Sequence, residues 1–176
     1  YGDMSPSLSG SDDLNVSSQK AVTVAAWVRL FDELNKGDGE EISPAEQKQL
    51  LNSTEIMVAT TTDGTTWTTE QLTDNASPDL APVTAASGTS AIVFWRSVYS
   101  SDPGENGADL MNFDTRDVIY ARRYSALSNT WGEPQMVYNG ANGGVAGIQA
   151  AMLPDGTAIV TFILERDSEK GSSSYE

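Results

Sequence analysis

The sequence predicts an all-β fold, namely a partial β-propeller built from four-stranded antiparallel blades, with a β-sandwich as the alternative. The first observation is a strand pattern that occurs three times, at residues 21–30, 90–96 and 157–164. Each copy is rich in β-branched and aromatic residues and is apolar almost throughout, which is typical of a strand buried on both faces. The copies place Trp27, Trp95 and Phe162 at intervals of 68 and 67 residues.

A second pattern repeats with nearly the same period. Residues 55–60 match residues 117–122, and each segment is followed by a polar turn and then by Trp67 or Trp131, which are 64 residues apart. Each unit therefore reads as two strands joined by a turn, a long loop, and two more strands. A four-stranded unit with its long loop in a fixed place is typical of a propeller blade. We expect the aromatic residues of both patterns to be buried at equivalent positions of successive blades.

The repeat sets the predicted domain boundaries. Blade one spans residues 1–75 with a loop insertion at 31–54, blade two spans 76–142 with an insertion at 98–116, and residues 143–176 supply only the first hairpin of blade three. We expect all three segments to belong to one domain of a larger parent protein. Because two blades and one hairpin leave sheet edges unpaired, we expect the rest of the parent chain or a second copy to complete the sheet.

A short helix is expected inside the first insertion. Ser43 and Glu46 have the spacing of a capping box, and Pro44 stands at the first helical position, so the pattern predicts a helix that runs through Leu51. The two insertions occupy the same place in their units. Loops that lie in register on one face of a repeat protein are common sites of binding surfaces.

The turn before Trp67 carries a family resemblance. Thr61-Thr62-Asp63-Gly64-Thr65-Thr66-Trp67 resembles the Asp-box (BNR) repeat of sialidase-like propellers, although it is one residue shorter between Asp63 and Trp67 than the family pattern. The second copy, at residues 128–134, keeps Trp131 and lacks the Asp and the turn Gly. The resemblance implies structural roles: Asp63 and Gly64 form the tight turn, and the tryptophans pack between sheets.

The resemblance does not transfer the sialidase activity. Sialidases of this family also use an arginine triad that grips the substrate carboxylate, a Tyr-Glu nucleophile pair and an acid/base Asp. The arginines of this chain match no position of that triad, and no catalytic residue is predicted. They are Arg29, Arg96, Arg116, Arg122, Arg123 and Arg166. The alternative function is therefore a fragment of a sialidase-like glycoside hydrolase whose catalytic residues lie mostly outside these 176 residues.

Composition narrows the function further. The net charge of −15 makes nucleic acids and anionic membranes poor partners, and no apolar run reaches the length of a membrane helix. The absence of Cys and His excludes disulfides, zinc–thiolate sites and a Ser-His-Asp triad. We expect a non-catalytic binding or scaffold part of a secreted or cell-surface bacterial protein, presenting loops to a glycan or a protein. Tyr99, Tyr120 and Tyr124 are candidates for stacking on sugars or for packing within a sheet.

One segment suggests a Ca²⁺ site. Residues 32–46 resemble an EF-hand or dockerin loop, in which oxygen ligands alternate, a Gly turns the chain and a carboxylate closes the site. The candidate ligands are Asp32, Asn35, Asp38 and Glu46. Ile42 stands three places after Gly39 where the loop pattern has two, so a plain acidic turn is the alternative. No other cofactor is expected.

Overall fold

The structure is a computed structural model that describes residues 21–34, 37, 39–100, 115–140 and 144–165. Strands account for 59% and helix for 7% of the structure, which confirms the all-β prediction. The strands form three antiparallel sheets, which we name sheets A, B and C in chain order. Within the described ranges these sheets do not close into a ring.

Sheet A has the strand order β1-β2-β3 and carries the helix. Its elements are β1 (Thr23–Leu30), α1 (Pro44–Asn52), β2 (Thr54–Thr61) and β3 (Thr68–Gln71). The helix starts where predicted, because Ser43 Oγ accepts the N–H of Glu46 and the Glu46 carboxylate accepts the N–H of Ser43. The predicted first strand of this unit falls in residues 1–20, outside the described residues.

Sheet B is the largest sheet and sheet C is a hairpin. The strands of sheet B are β4 (Asp79–Ser87), β5 (Ser90–Ser100), β6 (Thr115–Ser125), β7 (Thr130–Trp131) and β8 (Gln135–Asn139). β5 pairs with β4 and β6, while β7 and β8 both pair with β6, so the outer strand is divided in two. Sheet C consists of β9 (Gly144–Met152) and β10 (Ala158–Glu165). The second insertion is shorter than predicted, because the β5–β6 ladder extends to the Ser100–Thr115 pair.

The three sheets are stacked face to face, with sheet B in the middle. Because successive strand residues point to opposite faces, β5 supplies both interfaces. Val93 and Trp95 pack against sheet A, where their partners include Ile56, Val58 and Leu72. Ile92 and Phe94 pack against sheet C, where their partners include Val145 and Ile148. Of the sheet B strands, β4 lies nearest to its neighbours, contacting β1 on one side and β9 on the other.

The register shows which residues of the three sheets are equivalent. The β4–β5 hairpin and the β9–β10 hairpin each have a β-bulge in their first strand, with a positive φ at Ala81 in β4 and at Gly147 in β9. The bulges lie opposite Trp95 and Phe162, so these two residues hold the same register position. Trp27 pairs with Met57 as Trp95 pairs with Tyr120. Each of the three aromatic residues thus lies at the same point of its sheet.

The predicted match between residues 55–60 and 117–122 is wrong by one position. Ile56 faces sheet B as Ile119 faces sheet C, whereas the sequence match paired Met57 with Ile119. The physical reason is that these strands are buried on both faces. A strand that is apolar on both faces has no alternation to set its register.

The predicted burial of two tryptophans is also wrong. Trp95 is 2% exposed and Trp131 packs on Tyr124, whereas Trp27 is 39% and Trp67 is 45% exposed. Trp95 and Trp131 lie on the face of sheet B that sheet A covers. Strand alternation places Trp27 and Trp67 on the corresponding face of sheet A, which points away from sheet B. Their exposure therefore follows from the position of sheet A at one side of the described stack.

Candidate functional site

The turn after β2 is held together by Asp63. Its Oδ1 accepts the N–H groups of Thr65 and Thr66 at 2.8 and 2.7 Å, and Thr61 Oγ1 accepts the N–H of Gly64 at 3.0 Å. Gly64 has a φ of 72°, a conformation that glycine adopts without strain. The two backbone donors lower the pKa of Asp63 well below its ordinary value. This carboxylate is thus committed to the turn.

The turn between β6 and β7 also has a residue in the left-handed conformation, but different side chains stabilise it. Asn129 takes the left-handed conformation with a φ of 55°, which asparagine tolerates better than most residues. Its Oδ1 accepts the hydroxyl of Tyr124 at 2.6 Å, and the Tyr124 ring packs on Trp131. An amide and a phenol thus hold the turn that lacks the Asp and the Gly.

Three of the described arginines join sheet B to its neighbouring sheets. Arg122 donates from Nη1 to the carbonyl of Leu72 in sheet A, and Arg123 donates to the carbonyl of Gly156 in sheet C. The two adjacent side chains thus point to opposite faces of β6, as strand geometry requires. Arg96 donates to the Val145 carbonyl at 2.9 Å. No described arginine lines either of the two cavities below, so none is placed to grip an anionic ligand there.

A cavity of about 300 Å³ lies between sheets A and B, at the end where the β1–β2 and β5–β6 connections leave the sheets. We call it the seam cavity. Its lining residues are Leu72, Thr73, Asp74, Asn75, Trp95, Ser97, Tyr99, Tyr120 and Pro134. The Tyr99 and Tyr120 hydroxyls lie 3.4 Å apart, and burial is the main cause that raises the pKa of Tyr99. The Tyr99 phenol therefore stays protonated at neutral pH and can donate a hydrogen bond.

A network of buried carboxylates supports one wall of the seam cavity. Asp79 is fully buried and accepts hydrogen bonds from Ser97 Oγ, from Trp95 Nε1 at 3.2 Å and from Asn75 Nδ2 at 2.8 Å. Burial raises the pKa of Asp79, and its hydrogen bonds oppose that shift. Glu55 accepts the Asn75 N–H at 2.9 Å, so Asn75 bridges the two carboxylates. The network fixes the segment after β3 that forms the rim of the cavity.

A second cavity of about 410 Å³ adjoins the first and lies beside α1; we call it the helix cavity. Its lining residues are Phe31, Asp32, Gln49, Asn52, Ser53, Glu55, Gln71, Asp74, Asn75 and Ala76. It shares Asp74 and Asn75 with the seam cavity. Three of its lining residues are carboxylic acids and none is basic, so it favours cationic or neutral polar ligands over anions.

The predicted Ca²⁺ ligands are only partly described. Asn35 and Asp38 lie outside the described residues. Asp32 Oδ2 accepts a hydrogen bond from Gln49 Nε2 at 2.9 Å, and the Glu46 carboxylate closes the capping box. In the part of the chain that the structure describes, no three acidic residues come together in a way that could hold a metal ion. The Ca²⁺ site stays a prediction.

Comparisons with family models, with curated proteins and with solved structures found no match. The resemblance to the Asp-box repeat therefore stays a prediction as well. Within the described residues, no helix has the length and apolar character needed to cross a bilayer. Function has to be argued from the geometry of the two cavities.

The sequence did not reveal the part that Asp79 plays. Of the three candidate tyrosines, Tyr99 and Tyr120 line the seam cavity, whereas Tyr124 packs on Trp131. In contrast, an aspartate that follows Ser77-Pro78 reads as a loop residue. The available signal was its place at the first position of a strongly apolar strand, where a charge is buried only with partners. Those partners are residues 75, 95 and 97. Residue 97 lies directly opposite Asp79 in the β4–β5 ladder, so the pairing of these two strands brings the charge and its partners together.

Proposed function

We propose that this chain is a non-catalytic binding part of a secreted or cell-surface bacterial β-propeller protein, and that the seam cavity binds a neutral polyhydroxylated ligand such as a short glycan. The observation that carries the proposal is the lining of the cavity. Three aromatic side chains meet there with hydroxyl, amide and carboxylate groups, and no described basic side chain is among them.

The lining suits a sugar for two reasons. Aromatic surfaces accept the apolar faces of a ligand, and a few fixed polar groups set its orientation. The Tyr99 and Tyr120 hydroxyls can donate or accept, and Asp74 only accepts, so together they match the mixed donors and acceptors of a polyol. The net charge of −15 disfavours anionic ligands, including sialylated glycans.

The arrangement of the buried carboxylates supports binding without catalysis. A glycoside hydrolase needs two carboxyl groups that face the scissile bond from opposite sides. The seam cavity has a single carboxylic acid, Asp74, among its lining residues. Glu55 lines only the helix cavity, and the oxygens of Asp79 are bonded within the protein. No observation on the described residues favours the sialidase-like alternative. A purely structural scaffold would not account for an aromatic cavity that opens to solvent.

The stacking of the sheets supports the propeller part of the proposal. Equivalent residues recur at equal register in successive sheets, and the closest approaches between sheets involve β4 with β1 and β9. Propeller blades are related in this way, with their inner strands close together around an axis. A β-sandwich of two packed sheets would not place a third sheet on the other face of sheet B.

The test is a binding measurement on the intact chain, by calorimetry and on a glycan array, with neutral and sialylated oligosaccharides. We expect neutral glycans to bind and Tyr99→Phe and Asp74→Ala each to weaken binding about fivefold, the effect of losing one hydrogen bond. Glu70→Ala is the matched control, because Glu70 is an exposed carboxylate on β3 that lines neither cavity. Its affinity should equal that of the unmodified chain.

Two results would contradict the proposal. One is binding that is unaffected by both cavity variants, since the ligand would then lie elsewhere. The other is a preference for sialylated over neutral glycans, or hydrolysis of any glycan by the chain, since the cavity lacks the groups for either. Preserved melting temperatures of the variants would ensure that a loss of binding is local.

A further inference from the structure

Sheet A exposes an aromatic surface that faces away from sheet B. Trp27 on β1 is 39% exposed, and Trp67 just before β3 is 45% exposed. Both lie on the same side of the sheet by strand alternation. We call this surface the Trp face. Large exposed apolar surfaces of this kind mark interaction sites.

Sheet C exposes an aliphatic surface on the side away from sheet B. Ile159 and Ile163 on β10 are 44% and 62% exposed, with Thr161 between them. They alternate with Val160 and Phe162, which pack against sheet B. We call this surface the Ile face. The stack of three sheets thus has an aromatic face at one side and an aliphatic face at the other.

The two internal interfaces show how these faces pair. Trp95 of sheet B packs against Ile56 and Val58 of sheet A. Phe162 of sheet C, at the same register position as Trp95, packs in the cluster that contains Ile92 of sheet B. In each case the aromatic position of one sheet meets the aliphatic face of the sheet before it.

The open faces are the unpaired halves of this same interface. Trp27 holds the position of Trp95 and Phe162, and Ile159 and Ile163 hold the positions of Ile92 and Arg96. From this continuity we propose that a second copy of the chain docks head to tail, with the Ile face of its sheet C covering the Trp face of sheet A. Such a contact joins two different surfaces, so it continues into longer assemblies unless the ring closes.

The proposal rests on the stacked sheets and not on the ligand of the seam cavity, so either can fail without the other. The intact chain is examined by analytical ultracentrifugation from micromolar to millimolar concentration. We expect association that grows with concentration and strengthens with added salt. Salt screens the repulsion between two copies that each carry a formal charge of −15 while leaving an apolar interface intact.

Blocked variants test the direction of docking. Ile163→Asp removes the Ile face and Trp27→Asp removes the Trp face, so each variant alone should stay monomeric. A mixture of the two should form 1:1 dimers and nothing larger, because one intact face of each kind remains. Leu127→Asp is the control, since Leu127 is 71% exposed at the β6–β7 turn and belongs to neither face. It should associate like the unmodified chain.

Circular dichroism and melting curves show whether each variant folds, and Trp67→Asp replaces Trp27→Asp if the latter unfolds. A chain that stays monomeric at every concentration and salt level overturns the proposal and leaves a further sheet of a longer polypeptide as the occupant. Self-dimers of Ile163→Asp would also overturn it, because they would mean that two Trp faces pack together.

Discussion

Trp27 and Trp95 provide a direct test of the stacked-repeat architecture, because they share one register position and differ in what covers them. Trp95 is 2% exposed between sheets A and B, and Trp27 is 39% exposed on the Trp face. The perturbation is the same for both: replacement by alanine in the intact chain. If burial by the neighbouring sheet decides the outcome, the two substitutions will differ strongly in their cost.

The expected difference follows from the exposed fractions. A tryptophan buries roughly 150–250 Å², so the difference between 39% and 2% exposure corresponds to about 75 Å², or about 2 kcal/mol. Trp95 also donates its indole N–H to Asp79, and losing that hydrogen bond adds about 1 kcal/mol. We expect Trp95→Ala to lower the free energy of unfolding by about 3–5 kcal/mol and Trp27→Ala by about 3 kcal/mol less.

The assay is urea denaturation followed by far-UV circular dichroism, since both substitutions remove a fluorophore. Low protein concentration keeps any docking between copies out of the measurement. The slope of the free energy of unfolding against urea should be equal for both variants, which shows that only stability has changed. Equal costs for the two substitutions would refute the reasoning, because Trp27 would then be covered as fully as Trp95.

Two further predictions concern the buried backbone and the buried charge. Burial raises the pKa of Asp79 above its ordinary value near 3.8, so the folded state binds the proton more readily and stability should rise as the pH falls from 7 toward about 4. Asp79→Asn should remove most of that rise, as measured by melting temperature against pH. It should also lower stability at pH 7, because the amide nitrogen that replaces one carboxylate oxygen cannot accept the hydrogen bonds made to that oxygen. A Cβ at Gly140 would lie 1.6 Å from the Asp117 carbonyl oxygen, so Gly140→Ala should cost about 3 kcal/mol in urea denaturation. Gly132→Ala, whose nearest contact is 3.6 Å, should be neutral, and equal stabilities would contradict the model of close packing at Gly140.

Local rules predicted the elements well because their signals are local. The strands of the hairpins follow from short runs of β-branched and aromatic residues between turns, and α1 follows from Ser43, Pro44 and Glu46. Which residue of β2 is equivalent to which residue of β6 could not be predicted in the same way. Both strands are apolar on both faces, so a shift by one residue leaves the hydrophobic pattern unchanged.

The seam cavity depends on contacts that no local pattern encodes. Its rim is fixed by Asn75, which bonds Glu55 through its backbone N–H and Asp79 through its side-chain amide. Its lining also includes Trp95 and Tyr120, which lie on two different strands and stack on each other. The residue types identified three tyrosines as candidates but could not show that Tyr99 and Tyr120 would meet across the β5–β6 ladder. The stacking of sheets A and B brings these groups together, so the site follows from the tertiary structure.

The exposure of Trp27 shows what a repeat in the sequence can and cannot establish. The period makes Trp27, Trp95 and Phe162 equivalent, and the register agrees. Burial is a property of the interface: Trp95 and, in part, Phe162 are covered by the aliphatic face of the preceding sheet, whereas no described sheet covers Trp27. In stacked-repeat proteins the outermost repeats usually present polar surfaces, because an apolar outer face is not stable in water. The Trp face and the Ile face lack that polar character, so each needs a covering partner to be stable in water. The two internal interfaces of this chain already pair an aromatic face with an aliphatic face in this way.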